Sequence, residues 1–282
     1  MALLPFHLSF IQFLADHRTP LLTHLMSAAT FFGSANAYIL IILLLYILWD
    51  KRLAIRLSVL ILLTMSLNEI LKTLIRNPRP FVLQGTYLQK WAVSPARAHA
   101  LAAEYSTPSG HAMGAGSFYV YLAIFLRRKG VWLIAILLIL LIGFSRPYLG
   151  VHYGEDVLIG WVVGLAMALL LARYTAAVTA VWNGCRYPVQ IAIAVLASTA
   201  FCVIGAGFDN WQITTQLEGT AAYAGFLTGS VIACPLERRY VCFIPHSGNY
   251  LAKAARLALT LGLIGGMIAV LRPSFAYLAP PP

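Results

Sequence analysis

Long apolar runs separated by short polar and charged clusters set the pattern of this chain. A helix crossing the hydrocarbon of a bilayer needs about 20 apolar residues, within a working range of roughly 17–25. By that measure eight runs predict membrane spans, at 34–49, 53–75, 110–126, 130–146, 155–173, 187–207, 219–236 and 256–272. The first and the seventh are short for the purpose. Residues 2–32 are also apolar, but Asp16, His17, Arg18 and Pro20 interrupt them and each half is too short to cross. Helices lying in the membrane interface are expected there. The predicted architecture is an all-α polytopic membrane protein of about eight spans. It divides into N-terminal interfacial helices (1–33), a transmembrane core (34–175) and a C-terminal transmembrane extension (176–282).

Composition agrees with that pattern. Of 282 residues, 60% are hydrophobic and 10% charged, against roughly 25% charged in a soluble domain. The net charge of +11 does not mark a nucleic-acid binder, because the basic residues form short clusters between apolar runs and make no basic face with interleaved aromatics. Lys51, Arg52, Arg56, Arg127, Arg128, Lys129, Arg173, Arg186, Arg238, Arg239, Lys253 and Arg256 all fall on one side of an eight-span arrangement. The positive-inside rule makes that side cytoplasmic. The opposite side then carries the loop 77–109, the turn 147–154, the loop 208–218 and both termini. Cys185, Cys202, Cys234 and Cys242 lack metal spacing and are expected to be packing residues. No small-residue cleavage site closes the stretch before Arg18, so a cleavable signal peptide is not expected.

Charges at the edge of a span cost roughly 2.5–3.5 kcal/mol each on insertion scales, which makes them functional candidates. Three segments concentrate them on the face opposite the basic clusters: Lys72 to Pro80 closing the second span, Thr107 to His111 opening the third, and Ser145 to Asp156 joining the fourth to the fifth. Each has a plain structural explanation. Lys72 can snorkel or pair with Glu69, Arg79-Pro80 can end a helix, Ser109 can cap one, and His152 with Asp156 can form a loop pair. Their convergence on one face favours chemistry. Lys72, Arg79 and Arg146 supply the positive charge that phosphoryl transfer requires, and the guanidiniums can bind oxygens bidentately. Ser109, Gly110 and His111 open a helix, where backbone N–H groups bind anions and a glycine lets the backbone approach closely. His152 and Asp156 are four residues apart and share a face if the fifth span begins near 152. The carboxylate then holds one ring N–H and leaves the other nitrogen to attack phosphorus. His111 is left as the acid for the departing alkoxide.

Lys72 followed after six residues by Arg79-Pro80, then Pro108-Ser109-Gly110-His111, then Ser145-Arg146 with His152 and Asp156, resembles the three-part signature of the type 2 phosphatidic acid phosphatase family. The resemblance covers about residues 20–175. It implies a helical catalytic core in the membrane, a phosphohistidine intermediate, no metal or other cofactor, and a site at the extracytoplasmic surface of a bacterial plasma membrane. It also implies His152 as nucleophile, Asp156 as its orienting group and His111 as acid, with Lys72, Arg79, Ser109, Gly110 and Arg146 on the phosphate. The substrate class is a lipid phosphate: a polyprenyl diphosphate, a phosphatidate-type lipid or a saccharolipid.

Two features depart from that pattern. Glu155 stands before the motif aspartate where the family usually has a small polar residue, and it is a candidate for modulating substrate choice. The three spans in 187–272 lie outside the shared core and are read as packing, with a lipid entrance or an oligomer contact as alternatives. Asp209, Asn210 and Trp211 in their outer loop suit an interfacial anchor as well as a substrate contact. Lys90, Arg97 and His99 are candidates for holding a second phosphate, though solvated loop positions suit them as well. The same residues would serve a lipid-linked phosphotransferase, which passes the phosphate to an acceptor lipid. A non-enzymatic lipid transporter is the remaining alternative, disfavoured by the presence of both His152 and Asp156.

Overall fold

A computed structural model describes residues 7–84, 93–208, 215–245 and 247–278. Its helices in chain order are α1 (Ser9–Asp16), α2 (Pro20–Phe31), α3 (Ala35–Leu48), α4 (Lys51–Ile75), α5 (Pro80–Gln84), α6 (Pro95–Ala102), α7 (Gly110–Leu126), α8 (Lys129–Tyr148), α9 (Gly154–Gly184), α10 (Tyr187–Phe208), α11 (Thr215–Leu236) and α12 (Tyr250–Leu278), with a π-helical turn at Glu237–Val241. Among the described residues there is no strand. Lys90, Asp209, Asn210 and Trp211, and the side chain of Arg97, lie outside what is described.

Every predicted span has a helix in its place. Five stretches are individually long and apolar enough to cross a bilayer: Lys51–Val82, Lys129–Tyr148, Gly154–Gly184, Tyr187–Gly207 and Gly219–Val241. The segment expected to span alone at 34–49 is one arm of a bent pair, α2 and α3, which meet at 50° and together have the length and apolarity of a sixth span. Local signals set the bend. Thr19 caps α2 with Pro20 in its first turn, and Ser34 Oγ accepts from the Ala37 N–H to start α3. Between them, Gly33 lies where a Cβ would come within 2.5 Å of Ile142 on α8. Asp50 starts α4, its carboxylate accepting from the N–H groups of Arg52 and Leu53 at 2.7 and 3.0 Å.

Helix α7 is the centre of the bundle, packed against α4, α8 and α9. The core it shares includes Leu53, Leu57 and Leu60 of α4, Phe118 of α7, Ile142 of α8 and Ala168 of α9. In a bilayer, helices associate through close packing of small residues, since lipid tails are as apolar as leucine. The α7–α9 crossing has that form. A Cβ on Gly160 would stand 2.9 Å from the Ser109 carbonyl oxygen, and one on Gly164 2.2 Å from that of Met113. The tight crossing brings the starts of both helices together, and the Ser109 N–H donates to the Asp156 carbonyl at 3.1 Å. The C-terminal extension is attached through α11, which packs on α4 and α10, while α12 touches α3.

Candidate active site

Two helix starts and two helix ends meet at one pole of the bundle. Asp156, in the first turn of α9, is fully buried. One carboxylate oxygen accepts from Thr107 Oγ1 at 2.5 Å. The other accepts from Ser106 Oγ at 2.5 Å, from the Tyr153 N–H at 2.9 Å and from His152 Nδ1 at 3.3 Å. Position at a helix N-terminus adds the favourable end of the backbone dipole. The carboxylate is therefore fixed from four directions, and it fixes the imidazole in turn.

His152 lies in the connection between α8 and α9, 2% exposed. Its Nε2 faces Arg79 Nη1 at 3.1 Å. A guanidinium can only donate, so Nε2 carries the lone pair and Nδ1 the proton that Asp156 receives. Burial, and then the charges of Arg79, Arg146 and Lys72, push the His152 pKa well below the usual histidine value. The ring is thus held neutral, in the tautomer whose free lone pair points into the cationic cluster. Arg79 follows the end of α4, where Arg76 adopts a left-handed conformation (φ 51°) and its N–H closes on the Lys72 carbonyl at 2.8 Å. Arg79 is 2% exposed, and Nη1 also donates to the Val151 carbonyl at 3.1 Å.

Glu104 joins the two cations. Its Oε2 lies 3.2 Å from Lys72 Nζ and 2.8 Å from Arg79 Nη2, and Glu69 adds a longer contact to Lys72 at 3.8 Å. Burial works against ionisation of Glu104, but Lys72 and Arg79 outweigh it and hold the carboxyl below its usual range. The geometry is that of an anion seated between two cations, as a phosphate oxygen would be.

Ser109 is fully buried, and its Oγ has no hydrogen-bond partner among the described residues. It precedes α7 without capping it through its side chain, so the capping role open to it in the sequence is not taken. Gly110 follows, where a Cβ would stand 3.2 Å from Asn68 Oδ1. His111, half-buried in the first turn of α7, lies against the α2–α3 bend, its Cδ2 within 3.2 Å of a Cβ built on Gly33. Arg146 is 3% exposed, and its Nη1 donates to Thr30 Oγ1 at 2.7 Å. A cavity of about 80 Å³ opens beside it, lined by Thr30, Arg146, Leu149 and Val151 among others. Glu155 Oε1 accepts from the His7 N–H at 3.3 Å. His99 is exposed on α6.

The structure adds residues that the motifs do not single out. Ser106 and Thr107 hold Asp156. Asn77 accepts the Ser106 N–H on its carbonyl at 2.7 Å and donates Nδ2 to Thr107 Oγ1 at 3.1 Å. Asn68 Nδ2 donates to the Pro108 carbonyl at 3.1 Å. Thr30 positions Arg146, and Glu104 links Lys72 to Arg79. Two of these carry a visible signal: Asn68 is a polar residue inside an apolar run, and Glu104 is the lone acid of the loop 77–109.

Helices of membrane length, gathering buried cations, a buried serine and a fixed His–Asp pair at one pole, mark an integral membrane protein. Residues 53–180 match the PAP2 superfamily. The chain is 39% identical over 79 residues to phosphatidylglycerophosphatase B of Bacillus subtilis (strain 168), covering 25% of this chain and 39% of that protein. It is 30% identical over 121 residues to undecaprenyl-diphosphatase of Sulfolobus acidocaldarius, covering 43% of this chain and 54% of that protein. The chain thus spans about half or less of the length of these curated relatives. A crystal structure of Aquifex aeolicus LpxE superposes with a TM-score of 0.51 at 25% identity, over 62% of this chain and 100% of that one.

Proposed function

We propose that the protein is a lipid phosphate phosphatase acting through a phosphohistidine. The observation that carries this is the His152 ring, backed by Asp156 on Nδ1 and presenting the Nε2 lone pair towards Arg79. The relatives' names, a phosphatidylglycerophosphatase and an undecaprenyl-diphosphatase, support a lipid phosphomonoester or diphosphate as substrate. Polyprenyl diphosphates, phosphatidate-type lipids and saccharolipids are the classes to test.

In this mechanism Lys72, Arg79 and Arg146 neutralise the phosphate oxygens, with Ser109 Oγ and the N–H groups opening α7 as further donors. The Nε2 lone pair attacks phosphorus, the P–N bond forms, and the P–O bond to the lipid breaks. His111 donates a proton to the departing alkoxide. Water then gives a proton back to His111 and attacks phosphorus, the P–N bond breaks, and phosphate leaves with His152 restored. Asp156 keeps the Nδ1 proton in place and balances the charge that forms on the ring. The charge requirement is met by side chains, so turnover is expected to survive chelators.

A phosphate-release screen against the three lipid classes, with wild type, His152→Ala and His111→Ala, tests the reading. His152→Ala should abolish turnover of lipid and nitrophenyl phosphates alike. His111→Ala should lose roughly 10²-fold more on a lipid phosphate than on nitrophenyl phosphate, whose leaving group needs no proton. Equal losses would make His111 a binding residue, and a His152→Ala enzyme that still turns over would overturn the mechanism. Phosphate that appears on an added acceptor lipid and stays low in solution would mark a transferase.

The site is proposed to face the extracytoplasmic side of a bacterial plasma membrane, a reading supported by the basic residues gathered at the other pole. In a variant lacking the native cysteines, a cysteine at Ala98 should label with an impermeant reagent from outside and one at Gly130 should not. The reverse pattern would put the site in the cytosol.

A further inference from the structure

A second pocket lies at the pole opposite His152. It has a volume of about 750 Å³, within the roughly 300–1,000 Å³ typical of small-molecule sites. It is a wedge between the core and the extension, with walls from α4, α9, α10 and α11. Val59 and Leu63 of α4, Val178 of α9, Ile193 and Ala197 of α10, and Leu227 of α11 make its apolar length. Its far end is basic: Arg56 enters from the first turns of α4, and Arg238 and Arg239 from the π-helical turn that follows α11. Arg56 precedes Lys72 on the same helix by about 24 Å at 1.5 Å per residue, so this rim and the phosphate cluster stand at opposite ends of the bundle.

The three rim arginines are not spoken for by acids. The nearby Glu237 is taken by Lys51, whose Nζ donates to both its oxygens at 3.1 and 3.2 Å. Among the described residues, none of Arg56, Arg238 and Arg239 has an ion-pair partner within 4.0 Å. Arg56 lies over the Phe125 ring and Arg239 over the Tyr240 ring, at 5.9 and 5.4 Å. An aromatic face leaves guanidinium N–H groups free at its edge to bind an oxyanion. An apolar slot with a cationic mouth matches a molecule with hydrocarbon tails and a charged phosphate at one end. Basic pockets between transmembrane helices bind anionic lipid headgroups in this way.

We infer that the wedge between α4, α9, α10 and α11 is a binding site for an anionic phospholipid, its acyl chains along Val59, Val178 and Ile193 and its phosphate held by Arg56, Arg238 and Arg239. The lipid is bound and not turned over, since the His152 cluster is at the other pole. The inference does not rest on the proposed activity.

The test is native mass spectrometry of the detergent-solubilised protein titrated with phosphatidylglycerol or phosphatidylcholine of identical acyl chains. Phosphatidylglycerol should bind at least roughly tenfold more tightly, as expected of several arginines at one headgroup. The triple variant R56Q/R238Q/R239Q should lose that preference. Ala197→Trp, which fills the slot and leaves the charges in place, should weaken both lipids. Lys72→Gln, at the phosphate cluster, should leave binding of both unchanged. Retained hydrolysis of nitrophenyl phosphate would show that the triple variant and Ala197→Trp are folded, and a preserved thermal unfolding transition would show it independently of activity. Equal affinity for the two lipids, a preference that survives the triple variant, or loss of binding in Lys72→Gln would each overturn the assignment. So would a dimer that Ala197→Trp dissociates, which would mean that a second copy fills the wedge.

Discussion

At the scale of single residues, the charge environment of His152 makes a pH prediction. The proposed attack by His152 requires the neutral ring, and burial together with Arg79, Arg146 and Lys72 lowers its pKa below the ordinary value near 6.5. Neutral His152 therefore persists as pH falls past that value, until the lowered pKa is reached. The acid limb of kcat/KM should lie below pH 6.5. Lys72→Gln removes one of the depressing charges, so its acid limb should move to higher pH, whatever the fall in its maximum. A limb that does not move would mean that another group titrates there. The motif residues are legible in the sequence because Lys, Arg, His and Asp are rare in an apolar chain and cluster at span ends. Thr30 and Asn77 are not, and Glu104 stands out only as the lone acid of its loop, because their roles come from contacts across the fold. Glu104 meets Lys72 and Arg79 from 32 and 25 residues away, and no local spacing encodes that.

At the scale of elements, the apolar runs locate the helices to within a few residues for α4, α7 and α8. The fifth span differs most: α9 continues to Gly184, beyond the end expected at Arg173. Arg173 does not stop the helix because a long basic side chain can lie along its surface, here over the Tyr174 ring at 5.9 Å. The bend between α2 and α3 is likewise hidden from periodicity, since it depends on Gly33 packing against α8. The α7–α9 crossing is the contact on which the site depends most. A methyl group on Gly164 would meet the Met113 carbonyl, which belongs to backbone and cannot swing away. Gly164→Ala should therefore force the helices apart, costing about 1–3 kcal/mol by overpacking and lowering kcat by loosening Ser109 from Asp156. Gly219→Ala is the control, because its Cβ would meet only ordinary contacts at 3.9 Å. Thermal unfolding of both variants in detergent, read beside their turnover, checks this. A Gly164→Ala protein as stable and active as wild type would show that the crossing has slack.

At the scale of the whole molecule, the extension packs beside the candidate site. A Cβ built on Gly219 of α11 would stand 3.9 Å from the Glu69 carboxylate, so the helix that anchors the extension also borders the acid beside Lys72. The sequence shows the extra spans but not where they dock, because apolar faces of lipid-bathed helices look alike. The helices that carry the site are apolar on their outer flanks, with Leu21 of α2, Leu133 of α8 and Val162 of α9 exposed by 72%, 61% and 68%. A substrate tethered by its tails would meet this protein only by lateral travel within the sheet of lipid. Concentration, for such an encounter, is counted per unit of membrane and not per litre. Spreading a fixed quantity of lipid phosphate through more inert phosphatidylcholine should slow turnover in proportion to its falling mole fraction. Diluting the same vesicles with buffer should leave the rate per enzyme unchanged.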